Sequence, residues 1–392
     1  MSTVRKIRQI KTRLLSPLHE FLQDSRAVGI VLIACTVVSL VTANSPYQLS
    51  YLHFWETTVS MPEGWHMPHT LLHWINDGLM VLFFFLVGME IKRELMEGEL
   101  SSLQKSLLPA LAALGGMVCP ALIFIAFNAN TDHIHGWGIP MATDIAFSLG
   151  ILSLLGNRVP VNLKIFLMAL AIIDDLGAIL TIAIFYTDEL QLVYLLSGLA
   201  TLVVLIVLNL FKVQRLIWYL IPGIVLWYCI FNSGIHATIA GVLIAFCIPL
   251  SKISDLIHNL HDPVNFVIMP LFALANTAIV FPPDIFQVFT DTVSYGILAG
   301  LVAGKPLGIF LFSYLATRFK LAALPDETSW AQLIGAGIIA GIGFTMSIFI
   351  STLAYAEADL QVISKISVMA ASLIAGIAGY LYLRILKPGP KV

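Results

Sequence analysis

The sequence predicts an all-α polytopic membrane protein with twelve transmembrane helices, and three observations predict it. Of 392 residues, 58% are hydrophobic and 11% are charged, where a soluble domain carries roughly 25% charged residues. Apolar runs long enough to cross a bilayer recur along the whole chain. The basic residues alternate with those runs: of the 21 lysines and arginines, all but Lys305 and Lys365 fall in every second loop or at the two ends. By the positive-inside rule both termini are cytoplasmic and the span number is even.

The elements follow in order. Residues 1–26, with Arg5, Lys6, Arg8, Lys11, Arg13 and Arg26, form a cytoplasmic basic segment, expected as an amphipathic helix on the membrane surface. The basic stretch is too long for a cleaved signal peptide. Residues 27–386 form a single transporter domain. Its first six spans are Ala27–Ala43, Leu71–Ile91, Leu107–Phe127, Trp137–Leu155, Leu163–Tyr186 and Leu192–Phe211. The second six are Leu216–Phe231, Ile235–Leu250, Val264–Phe281, Tyr295–Ala316, Leu333–Ala354 and Ile366–Leu386. The longest external loop, within 44–70, carries the β-rich run Leu52–Met61 before Pro62-Glu63-Gly64 and reads equally as a hairpin or as an ordinary loop with interfacial aromatics. Residues 387–392 are a cytoplasmic tail. The four cysteines lie in apolar runs without metal or redox spacing.

Function enters through the polar residues inside the spans. Asp174 and Asp175 sit in the middle of the fifth, where one ionised residue costs on the order of 2.5–3.5 kcal/mol. Adjacent helical residues project about 100° apart, so the two cannot share one proton and must serve different partners. Asp144 lies in the fourth span, in a stretch weakened by Pro140 and Thr143. Lys305 lies in Gly304-Lys305-Pro306-Leu307-Gly308, an interrupted helix in the tenth. The eleventh carries Gly341 and Gly343, then Phe344-Thr345-Met346-Ser347. Broken segments at corresponding places in two halves point to a transporter binding site and suggest that spans 3–5 and 10–12 are related units, as in an inverted-topology repeat. If span five packs beside four and ten, one aspartate meets Asp144 and the other meets Lys305. Asp144 then offsets crossed helix N-termini and Lys305 crossed C-termini. A purely structural polar network is the weaker reading, because intramembrane ionisable groups are functional by default.

The peripheral polar residues carry less. A lone histidine such as His236 is more often packed than ligating, and Asp77 caps or lines a funnel. Glu90, Arg93 and Glu94 share one helix face at i, i+3, i+4, either as a solvated helix end or at a cytoplasmic entrance. His258 and His261 lie between spans eight and nine, where loop histidines mostly have no special role.

These motifs resemble the bacterial NhaA family of sodium/proton antiporters across essentially the whole chain. The resemblance rests on Asn76-Asp77, Val87–Leu95, Ala142–Phe147, Ile172–Gly177, His236-Ala237-Thr238, Gly304–Gly308 and Gly341–Ser347. The family is itself one of the cases behind the inverted-repeat rule, so repeat and resemblance are one observation. The resemblance implies discontinuous fourth and eleventh helices crossing near mid-membrane, at Gly341, Gly343 and Thr345. It implies electrogenic, pH-regulated exchange of cytoplasmic sodium or lithium for external protons in the inner membrane. Asp175 is then the principal ligand of the transported sodium, with Asp144 and Thr143. Asp174 pairs with Lys305 in proton exchange, and Asp77 lines a cation funnel. Glu90, Arg93, Glu94, His236 and His261 serve pH regulation, and the external hairpin makes a homodimer contact. A family glutamate before the histidines reads Ile257 here, which shifts the expected pH set-point. No cofactor, nucleic acid or enzymatic activity is expected; the partners are sodium or lithium ions, protons and membrane lipid.

Two rival classes remain. An intramembrane aspartyl protease needs Gly-x-Gly-Asp, which is absent. A cation channel needs a continuous polar path or a repeated carbonyl filter, and neither appears.

Overall fold

The computed structural model describes residues 25–386 apart from 63 and 188. The expected amphipathic helix and C-terminal tail fall almost wholly outside these residues. Among the described residues the protein is all-helical, with one isolated antiparallel bridge between Thr58 and Thr70. Six helices among the described residues are long and apolar enough to cross a membrane, or eight if each of two bent pairs is one span.

Helix α1 spans Ser25–Ala43. The loop after it departs from expectation. Gln48–Trp55 is a helix, α2, because Trp55 turns into the core and is 7% exposed. Tertiary burial thus overrides the β propensity of the run. The hairpin shrinks to the bridge and the Val59 N–H bond to the His69 carbonyl at 2.9 Å.

Helix α3 is Leu71–Met96, α4 is Leu103–Asn128, α6 is Val161–Phe185 and α7 is Leu192–Leu210, and between α4 and α6 lie a 3-10 segment, Asp132–Met141, and α5, Ile145–Leu154. The shorter helices α8, Ile217–Phe231, and α9, Thr238–Cys247, precede α10, Leu250–Pro263, and α11, Met269–Asn276. The chain closes with α12, Thr292–Arg318; α13, Trp330–Ala340; α14, Phe344–Ala354; and α15, Ala358–Ile385. The helix bearing the two aspartates is the most enclosed of the six long ones: 67% of the apolar stretch of α6 is buried, against 11% of α7.

Backbones meet where side chains vanish. A methyl group on Gly308 of α12 would overlap the Gly115 carbonyl of α4, and one on Gly241 of α9 would overlap the Val81 carbonyl of α3. Small residues permit such approach where lipid supplies no hydrophobic drive between helices.

The tenth expected span is not broken at Lys305. Helix α12 runs through a π turn at Gly300–Gly304, and Pro306, which has no N–H to donate, follows at the start of the next turn. The breaks lie elsewhere: the 3-10 segment meets α5 at 42°, and α13 meets α14 at 47°.

Candidate functional site

The two bends are tied across each other. Asp144 N–H donates to the Ile342 carbonyl at 2.7 Å, and the hydroxyls of Thr143 and Ser148 donate to Ala340 and Ile339 at 3.0 and 3.3 Å. From the other side, the Ser347 hydroxyl donates to the Ile139 carbonyl at 2.7 Å. Each interrupted helix leaves carbonyls without intrahelical partners, and the other element supplies the donors. Gly341 and Gly343 are required by closeness. A Cβ on Gly341 would overlap the Leu301 carbonyl, and one on Gly343 would overlap the Ser347 hydroxyl.

Asp144 is the N-cap of α5, accepting from Phe147 N–H at Oδ1 (3.1 Å). Its other oxygen, Oδ2, accepts the Thr345 N–H at 3.1 Å and the Thr345 hydroxyl. One carboxylate therefore caps two helix N-termini, α5 and α14, where its negative charge meets their positive ends.

On the opposite side of the crossing, Lys305 is fully buried. Its Nζ lies 2.7 Å from Asp174 Oδ2 and donates to the Met141 carbonyl, the last residue of the 3-10 segment. Asp174 Oδ2 also accepts the Thr143 hydroxyl at 2.7 Å. Thr143 thus stands with Asp174 and Lys305, whereas the sequence reading grouped it with Asp175 and Asp144.

Asp175 differs from its neighbour. It is 2% exposed and its Oδ1, like that of Asp174, has no hydrogen-bond partner; what sets it apart is that it lines a cavity, whereas Asp174 is paired with Lys305 and Thr143. Asp175 shares a cavity wall with the carboxylates of Asp144, Glu90 and Asp262 and the single guanidinium of Arg93. Asp175, Asp144 and Thr345 line a cavity of about 710 Å³, along with Glu90, Arg93, His258 and His261. Asp174, Thr143 and Lys305 do not line it. A path walled by titratable groups therefore leads to one aspartate and bypasses the other. Excess negative charge with an unsatisfied carboxylate oxygen is an environment for a small hard cation or a proton.

The remaining expected residues separate. Glu94 is turned away from the cavity: its Oε1 is 3.3 Å from Arg93 and its Oε2 accepts the Glu99 N–H at 3.1 Å, which fixes the turn after α3. Ile257 is buried with Ile253 on the core side of α10, while His258 and His261 face the cavity. Asp77 and His236 form a separate cluster. Asp77 Oδ1 lies 3.3 Å from His236 Nδ1, and Oδ2 lies 3.1 Å from His73 Nε2. Sequence reasoning missed His73, although its i, i+4 spacing to Asp77 was visible. It also missed Asn265 on the cavity wall and placed Thr345 only at the crossing, since its contact with Asp144 exists only in the folded chain.

The sequence matches the family described as Na+/H+ antiporter 1 over residues 19–383. It is similar to the Na(+)/H(+) antiporter NhaA 1 of Flavobacterium johnsoniae, with 50% identity over 370 residues that cover 93% of this chain and 95% of the relative. Against the Na(+)/H(+) antiporter NhaA of Dechloromonas aromatica the identity is 48% over 383 residues, covering 95% and 97%. Against that of Escherichia coli O1:K1 it is 47% over 379 residues, covering 94% and 98%.

Proposed function

The chain belongs to the NhaA family of sodium/proton antiporters, and from that premise we propose that Asp175 and Asp144 hold sodium and protons by turns. The observation that carries this reading is Asp175 on the cavity wall beside Asp144, with a carboxylate oxygen that has no hydrogen-bond partner. A carboxylate cannot hold a proton and a metal ion in the same place. Cytoplasmic sodium, or lithium, displaces protons from the pair; after reorientation, external protons displace the sodium.

In this reading the domain has twelve spans, with α1, α8, α9 and α11 as short crossings beside the eight above, and both termini are cytoplasmic in the inner membrane. Spans 3–5 and 10–12 are inverted repeats whose broken helices cross at the midplane. The Asp174–Lys305 pair holds the crossing and takes part in proton exchange, with Thr143 as its hydrogen-bond donor. Two protons, one from each of two protonatable groups, moved against one monovalent ion make the exchange electrogenic. Glu90, Arg93 and His261, on the cavity wall with His258, regulate access by pH through their charge. Glu94 supports that segment, Asp77 and His236 act from the second cluster, and the loop of 44–70 mediates a homodimer.

The test uses protein reconstituted in vesicles with a pH-sensitive dye and a sodium tracer. Sodium added on one side is expected to drive protons the opposite way, at a rate that changes with an imposed membrane potential. Sodium flux without counter-movement of protons marks a channel and contradicts the proposal; indifference to potential overturns the electrogenic stoichiometry.

A further inference from the structure

We propose that Ser372 of α15, a helix that reaches no wall of the cavity, is a positioning residue for the cation site. Its hydroxyl caps α14 and so fixes Thr345 against Asp144. This rests on the reading of Asp144 as part of that site.

Helix α14 cannot cap itself. Its N-cap residue is Gly343, which offers no side-chain acceptor. A Cβ there would overlap the Ser347 hydroxyl and lie 3.1 Å from the Ala142 carbonyl, so a capping side chain at this position would displace Ser347. Helix α5, at the other bend, carries its own cap in Asp144. The first-turn amides of α14 look outside for partners. Thr345 N–H goes to Asp144, and Phe344 N–H goes to the Ser372 hydroxyl oxygen at 3.1 Å. Ser372 is 7% exposed, so no water replaces it freely.

Membrane-helix serines ordinarily turn back to the carbonyl four residues earlier. Ser367, on the same helix, does so with Ile363 at 2.7 Å. Ser372 instead spends its oxygen on a neighbouring element, one residue before the side chain that grips Asp144. The two caps also differ in permanence. A sodium ion or proton on Asp144 competes with Thr345 for Oδ2, whereas the Ser372 bond lies outside that competition. Ser372 thus holds the end of α14 in place while Asp144 changes partner.

Ser372→Ala in reconstituted vesicles is expected to raise the apparent KM for sodium about fivefold, the loss typical of a removed helix cap. The maximal rate should stay within about twofold. Ser372→Thr, which keeps the hydroxyl, should restore the KM. Asp144→Asn, measured alongside, separates the two claims. If Asp144→Asn impairs sodium dependence and Ser372→Ala leaves the KM unchanged, the positioning role is wrong and the site stands. If Asp144→Asn leaves sodium dependence intact, the site reading falls and this inference with it. A fall in maximal rate alone, at unchanged KM, marks a packing role and contradicts the proposal. Should Ser372→Ala fail to accumulate, Ser372→Cys keeps nearly the same volume with a poorer acceptor. The same KM rise is expected of it, and an unchanged KM overturns the inference.

Discussion

Asp175→Asn is expected to lower sodium-driven proton movement at least a hundredfold while leaving the protein as stable as before. Asparagine keeps the shape and one carbonyl oxygen but loses the charge and the exchangeable proton. A hundredfold loss corresponds to about 2.7 kcal/mol. That is modest beside the attraction between sodium and a carboxylate in a site shielded from water. Stability is retained because Asp175 Oδ1 has no hydrogen-bond partner to lose, and a neutral amide removes one of several mutually repelling buried charges. The paired measurement is exchange in vesicles and thermal melting in detergent. Lost exchange together with a collapsed melting temperature would assign Asp175 to structure instead of transport.

Lys305→Met is expected to have the largest effect on stability of any single change at the crossing. It leaves Asp174 buried with only the Thr143 hydroxyl and strips the Met141 carbonyl of its donor. Removing one partner of a fully buried ion pair typically costs about 3–5 kcal/mol, most of it the penalty of the stranded charge. Adding Asp174→Asn should therefore recover most of the loss, since two neutral groups of similar volume replace the pair. Melting of the single and double variants checks this. If the double variant is as unstable as Lys305→Met, the stranded charge is not the cause.

These two predictions rest on a division between neighbours that was legible in the sequence. Asp174 and Asp175 are adjacent on a helix, so the 100° step alone sends them to different partners. That step plus one assumption about packing brings one aspartate to Lys305; that it is Asp174, now at 2.7 Å, was implied only by the family resemblance. Thr143 was harder. It sits where the chain leaves the 3-10 segment for α5, and no helical periodicity says which way a hydroxyl points at a break. Thr345 and Ser372 were invisible for a related reason: their partners lie 201 and 28 residues away in the chain. Ile257 reads as a departure in sequence, but the amphipathic α10 buries it with Ile253 and leaves His258 and His261 toward the cavity. The departure at 52–55 has the opposite origin: local β propensity favours a strand where Trp55 burial decides for a helix.

The central claim is that one carboxylate site, Asp175 with Asp144, exchanges a sodium ion for protons. Calorimetric titration of sodium into the purified protein, in two buffers of equal pH and different ionisation enthalpy, counts the protons released per ion bound. The account predicts at least one proton released per sodium in the unmodified protein and a smaller number in Asp175→Asn. Sodium binding with no proton released, or release unchanged in Asp175→Asn, would contradict it.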